Sequence, residues 1–429
     1  MNIWDEISKV HNEIENCKEK NLKIVNITDS DTEHEVYGYK WDNKSAPDYL
    51  TIIGCSHGNE PIGIWFCIHL LKQILNSNNA FLDNINMSLF IIPVLDVEIA
   101  QKNRHWFNHE FNYKEYFSYS YLNPVFEQLE FSYPSNKEMI QNIVIRKLDE
   151  ELKKTNTPII LSCHQTPSIY GGYYYTNIGD EKMHKEMQYL YLSKGIPIEI
   201  LPQGIGVQSY ANGVFGKFSS LNLGQFHNEF KPLECSQTYF DDTLKVPYLV
   251  PEIPFGYSLF LYNKTEIGIK EYLTDINAIL DASSRLIDYL DNKFINEDFN
   301  LEEQRKIYRD NSGYYWLKSF QASDRYMSRI LEAERNIRKH DFCQIVRQIF
   351  YKAQFVGMLT RNPDSKVKLK AQSLLEQMMN FLSVALNVID IKWINPKLGI
   401  QLLYNCLGLL IKNKDDLYGA SGTYIQGKK

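Results

Sequence analysis

Apolar and polar positions along the 429-residue chain follow two regimes. Up to about residue 292, short apolar runs alternate with helical periods. Residues 1–22 carry an amphipathic helical pattern, and residues 23–50 alternate in a strand-like way with a turn signal over 43–47. The run 49–56 is short, rich in β-branched residues and ends in small ones, as a buried strand does. Pro61 and Gly63 then open a helix over 64–75. Apolar strands recur at 157–166 and 246–254, and a helix over 264–293 closes this part. Strands alternating with helices predict an α/β sheet. From 301 to about 410 the apolar positions repeat with helical period and strand signals are few, which predicts an all-helical region joined through 296–300. Pro363 and Pro396 mark breaks near helix starts.

The length favours two domains, drawn here as residues 1–294 and 295–429, with 419–429 as a flexible tail. Charge divides at the same place. Residues 295–429 hold 21 Lys/Arg against 14 Asp/Glu, a net of +7, which leaves −13 for residues 1–294. Such asymmetry favours contact between the parts or a protein partner for the helical one. The basic residues are spread along helices, so a nucleic-acid partner is not expected. The start carries no leader pattern, no apolar run reaches membrane-spanning length, and seven cysteines without a framework spacing suit reduced thiols. The expectation is a cytoplasmic protein without membrane contact.

Chemistry concentrates where the strands end. His57-Gly58-Asn59-Glu60 places an imidazole and a carboxylate three residues apart in a strand-to-helix turn, and both are good Zn²⁺ ligands. The strand at 157–166 delivers His164, and the strand at 246–254 delivers Glu252. Two His and one Glu with an open fourth position is the arrangement of a hydrolytic zinc site. Glu252 is then a carboxylate left free to take a proton from zinc-bound water.

His57-x-x-Glu60, Asn103-Arg104, His164 and Glu252 occur in the order that resembles the zinc carboxypeptidases and the related succinylglutamate desuccinylase/aspartoacylase group. The likeness covers roughly residues 45–292. It implies a central mixed sheet with helices on both faces, plus the C-terminal helical domain, and one Zn²⁺ per chain held by His57, Glu60 and His164. It implies Glu252 as general base and Arg104 as the group that polarises the scissile carbonyl. The segment around Asn112 corresponds to the family's substrate-carboxylate pair, but Tyr113 stands where an arginine is usual, and a hydroxyl cannot make the bidentate contact of a guanidinium. Lys102 and Lys114 are candidate replacements.

Other candidates are weaker. His105 and His109 could share a helix face and read as rim or surface residues. Tyr210 and Tyr239 are both conceivable matches for a tyrosine upstream of the base. The tyrosines of 170–175 alternate between faces, and Gly204–Gly213 reads as a loop over the site. Cys55 and Cys163, next to the proposed ligands, read as small core residues. The expected activity is zinc-dependent hydrolysis of an amide, releasing a terminal amino acid from a peptide or peptide conjugate. The alternatives are a deacylase of N-acyl amino acids and an inactive metal-binding module with an interaction role for the helical region.

Overall fold

The computed structural model describes every residue except 1, 18–20, 29–33, 44–45, 77–84, 108–109, 134–141, 156, 167–168, 170, 201–205, 219–233, 295–300, 320, 334–335 and 418–429. Among the described residues nine strands build one mixed sheet: β1 (Leu22–Asn26), β2 (Tyr37–Trp41), β3 (Tyr49–Ile53), β4 (Ser88–Ile92), β5 (Ile159–Ser162), β6 (Tyr173–Thr176), β7 (Ser209–Ala211), β8 (Val214–Phe215) and β9 (Tyr248–Glu252). Their spatial order is β1-β2-β4-β3-β5-β9-β6-β8-β7. The middle strands β4, β3, β5 and β9 run parallel. β2 joins β4, and β6 joins β9, in antiparallel register. β4, β5, β6 and β9 are buried at every position. Strands covered on both faces read as continuous apolar runs, as the expected strands at 157–166 and 246–254 do.

The crossover from β3 to β4 uses the helix Ile62–Leu75, apolar nearly all round and buried along most of its length. It lies close against the strand end. A Cβ on Gly63 would sit 1.5 Å from the carbonyl oxygen of Gly54, so this approach requires glycine. The helix Ile3–Asn16 and the helix Pro396–Lys412 both pack on it.

Beyond residue 300 the structure is helical, as the periodicity predicts, with the long helices Lys339–Leu359 and Ser365–Val388 packed on each other. Two short strands also occur there. β12 (Asn336–Arg338) pairs with β11 (Glu266–Gly268), and β13 (Lys392–Trp393) pairs with β10 (Gly256–Tyr257). The first pairing shortens the helix expected over 264–293, which begins only at Leu273. Its partner strand lies far downstream, so local periodicity carried no sign of it. The helix at the start ends at Asn16, and β1 begins before residue 23. The linker 296–300 and the tail 419–429 fall outside the described residues.

The late helices meet the earlier part closely. A Cβ on Gly357 would stand 1.9 Å from the carbonyl oxygen of Phe117, so Lys339–Leu359 lies almost in backbone contact with the helix Tyr113–Tyr119. Arg309 makes a bidentate pair with Glu127 at 2.8 Å, and Lys412 pairs with Glu186 at 3.1 Å. These pairs join the basic late part to the acidic early part. Among the described residues no helix is long and apolar enough to cross a membrane.

Candidate functional site

The carboxyl ends of β3, β5 and β9 lie side by side, and each carries one part of the site. After β3 the chain turns through Gly54-Cys55-Ser56 to His57. The thiol of Cys55 donates to the His57 carbonyl at 3.0 Å, and the Glu60 amide closes the turn on that same carbonyl at 3.0 Å. Gly58 is pressed against the helix Val97–Lys102, where a Cβ would meet the Ala100 nitrogen at 2.5 Å. Asn103, fully buried at the end of that helix, donates to the Gly58 carbonyl at 3.0 Å. Asp96 caps the same helix through the Ile99 amide and also takes the Gly58 amide. Burial raises its pKa to about 7.

His164 and Glu252 are bridge partners across the gap between β5 and β9. The His164 amide donates to the Pro251 carbonyl, and the Ile253 amide donates back to the His164 carbonyl, both at 3.2 Å. Nε2 of His164 is 3.0 Å from the Ser162 hydroxyl, which leaves Nδ1 facing the carboxylates. That Nδ1 is 3.3 Å from Glu60 Oε2 and 3.8 Å from Glu252 Oε1. Glu60 Oε2 also accepts the Gln165 amide at 3.0 Å.

The donor atoms of His57, Glu60 and His164 all lie within 4.8 Å of one another, the only such group found among the described residues. Two donors on one tetrahedral zinc stand about 3.4 Å apart, and the His164–Glu60 pair has that separation. Burial lowers the His57 pKa against the pull of Glu60, so the ring is kept neutral, as a ligand must be. Burial acts the same way on His164, but Glu60 and Glu252 outweigh it and its pKa is raised. Burial raises Glu252, His164 opposes, and Glu60 adds to the rise. Carboxylates of Glu60, Glu252 and Glu130 thus surround two imidazoles, with no Lys or Arg among the described lining residues. That imbalance favours a bound cation.

The cavity over these groups has a volume of about 240 Å³. Tyr173 and Tyr175 project into it from one face of β6, while Tyr174 turns the other way and packs on Tyr191 at 4.9 Å, as alternation predicts. The late helices close the cavity with Trp316, Tyr351, Gln354 and Phe355. Gln354 is 1% exposed, and its amide nitrogen has no partner among the described residues. A larger open groove of about 910 Å³ lies between the helices Ile62–Leu75, Glu181–Leu192 and Pro396–Lys412. Its one acid, Glu186, is tied to Lys412, so it lacks the chemistry of the first.

The structure does not bring every expected residue to the cavity. Arg104 is exposed in the turn after Val97–Lys102 and is not among the lining residues. In the Asn103-Arg104 pair it is the asparagine that faces inward. Asn112 accepts the Lys114 amide at 3.0 Å as the N-cap of Tyr113–Tyr119, and Tyr113 stacks on Trp393 with 20° between rings. Both line a separate hollow with Glu110. The reason is Phe111, which stacks on Phe255 at 4.4 Å and packs on Trp106 and Trp393, turning this segment toward the helical part. Lys102 pairs with Glu98, and Lys114 is exposed. Tyr210 stacks on His184 and belongs to the edge hairpin of β7 and β8, and Tyr239 donates to Asp149, so neither lines the cavity. Of the stretch expected to be a loop over the site, residues 204 and 205 fall outside the described residues. His105 is exposed beside Tyr119, and His109 is not described. Cys55 and Cys163 are buried, as expected of core residues.

No protein-family model matches the chain, and no curated protein matches it. Solved structures to which it is similar are metallopeptidases and metallo-carboxypeptidases. A Shewanella amazonensis protein, whose description as a metallopeptidase is itself an inference, shares 16% identity at a TM-score of 0.39, over 59% of this chain and 84% of that one. A metallo-carboxypeptidase from Burkholderia cenocepacia shares 9% identity at 0.38, over 58% of each chain. One from Pseudomonas aeruginosa shares 11% at 0.38, over 58% of this chain and 59% of that one. At these values the likeness assigns no residue a role.

Proposed function

We propose that the chain is a metal-dependent amide hydrolase, with zinc as the metal and a terminal amino acid of a peptide or peptide conjugate as the product. The observation that carries this is the convergence of His57, Glu60 and His164 beside an acid, Glu252, that is not needed as a ligand. When bound, the ion would act as a Lewis acid and make water acidic enough to attack at neutral pH. Glu252 is placed to accept the proton of the attacking water. Glu252 would then return that proton to the leaving nitrogen. Ser162 fixes the His164 ring and the Gln165 amide fixes Glu60, so the donor geometry is set before substrate arrives.

With Arg104 outside the cavity, the buried amide nitrogen of Gln354, which has no partner among the described residues, is a donor available to the substrate carbonyl oxygen. A cavity of about 240 Å³ under helices fits one side chain and its amide better than a long peptide. Residues 1–294 would supply the metal donors and Glu252, while residues 295–429 would close the cavity and contribute Gln354 to it. The test is product analysis by mass spectrometry after incubating the zinc-loaded chain with a mixed pool of dipeptides, peptide conjugates and acyl amino acids. Release of single amino acids supports the reading. An unchanged pool contradicts it.

A further inference from the structure

Glu130 is the group in this cavity that the proposed chemistry leaves unused. It sits in the short 3₁₀ turn Leu129–Phe131 and is 3% exposed. One oxygen, Oε1, accepts the hydroxyl of Ser236. The other, Oε2, is buried and has no partner among the described residues. Glu130 lines the same cavity as the three donors but does not belong to the donor group. No Lys or Arg among the described residues pairs with it or lines that cavity. A buried carboxylate is costly to keep without a positive partner. Its neighbour Gln128 is spent otherwise, donating to the Asn123 carbonyl at 2.8 Å and hydrogen-bonding His57.

The surrounding wall points to the same kind of ligand. Phe131 and Trp316 line the cavity with Glu130, and Trp316 stacks on Phe355 at 5.6 Å with 12° between rings. Tyr173 and Tyr175 stand edge to face at 5.6 Å on another side. Aromatic faces attract organic cations most strongly where water is excluded. An anionic group would meet a carboxylate and no described cation.

We infer that Glu130 receives a cationic group of the substrate, an ammonium or guanidinium, and so sets the preference of the site for amides of basic residues. This rests on the hydrolase reading of the same cavity. The test uses the full zinc-loaded chain and two matched pairs. Calorimetric titration compares propylguanidine with propylurea, which share a shape and differ in charge and contain no bond to cleave. Hydrolysis compares an acyl-arginine with the corresponding acyl-citrulline. The native chain is expected to bind propylguanidine at least tenfold more tightly than propylurea, and to favour arginine by a similar ratio in kcat/KM. In E130Q both ratios should fall close to one. Equal binding of the two probes by the native chain overturns the inference, as does a charge preference that survives in a folded E130Q. Should E130Q fail to fold, the native ratios still decide. Guanidine-selective binding without hydrolysis of either substrate would overturn the hydrolase reading alone. Hydrolysis of both substrates with no charge preference would overturn this inference alone.

Discussion

Two acids of the site differ in what their environment asks of them. Glu252 must exchange a proton, so Glu252→Gln should retain the metal, because the donor set is untouched, and lose at least about 100-fold in kcat, the usual scale for a general base. Near-native turnover by that variant would remove Glu252 from the mechanism. Asp96 has a structural task, holding the Gly58 and Ile99 amides, and burial raises its pKa from 3.8 to about 7. The folded state therefore holds the Asp96 proton more tightly than the unfolded state does. Its contribution is complete below the unfolded value and is lost as pH rises through the folded one. A rise of that size corresponds to about 4 kcal/mol. Unfolding of the native chain and Asp96→Asn, compared at pH 4 and pH 8, should show the variant gaining relative stability at the higher pH. A difference independent of pH would contradict this. His57, Glu60 and His164 were legible in the sequence because they follow apolar strands that run into small residues, and Glu252 because it is the one acid at the end of an apolar strand. Motif order carries no information on side-chain direction, so it could not place Arg104, Asn112 and Tyr113 relative to the cavity. The packing of Phe111 on Phe255 and Trp393 decided that direction.

The strands at 49–56, 157–166 and 246–254 and the helix over 64–75 followed from pattern because the strands are apolar along their length and the crossover helix is apolar. The helix Lys339–Leu359 shows where pattern stops. Its helical period was visible, but not that Gln354, Tyr351 and Phe355 on it would face a cavity built by strands far upstream. The close approach at Gly357 against Phe117 holds this helix against the earlier part of the chain. Glu130 had no signal at all, since its three-residue 3₁₀ turn carries no period. The helix makes a prediction of its own. Gln354→Ala should lower kcat by about 10- to 100-fold with little change in KM, because a donor to the developing oxyanion acts mainly in the transition state. A rise in KM alone would instead make Gln354 a ground-state contact.

At the scale of the molecule, the two regimes of the sequence meet in one continuous apolar core. Tyr404 packs edge to face on Phe66 at 5.1 Å, and a Cβ on Gly399 would touch the Ile62 side chain at 2.5 Å. Removing residues 295–429 would uncover the helix Ile62–Leu75, which directly follows the His57–Glu60 turn. The fragment 1–294 is therefore expected to lose its cooperative thermal transition and to aggregate on gel filtration. A soluble fragment with a sharp transition of its own would show the two parts to be independent. Metal analysis of the purified chain tests whether His57, Glu60 and His164 hold a metal ion. The native protein should carry close to one zinc per chain, and the double variant His57→Ala, His164→Ala should carry close to none while remaining folded. Full zinc occupancy in that variant would contradict the account.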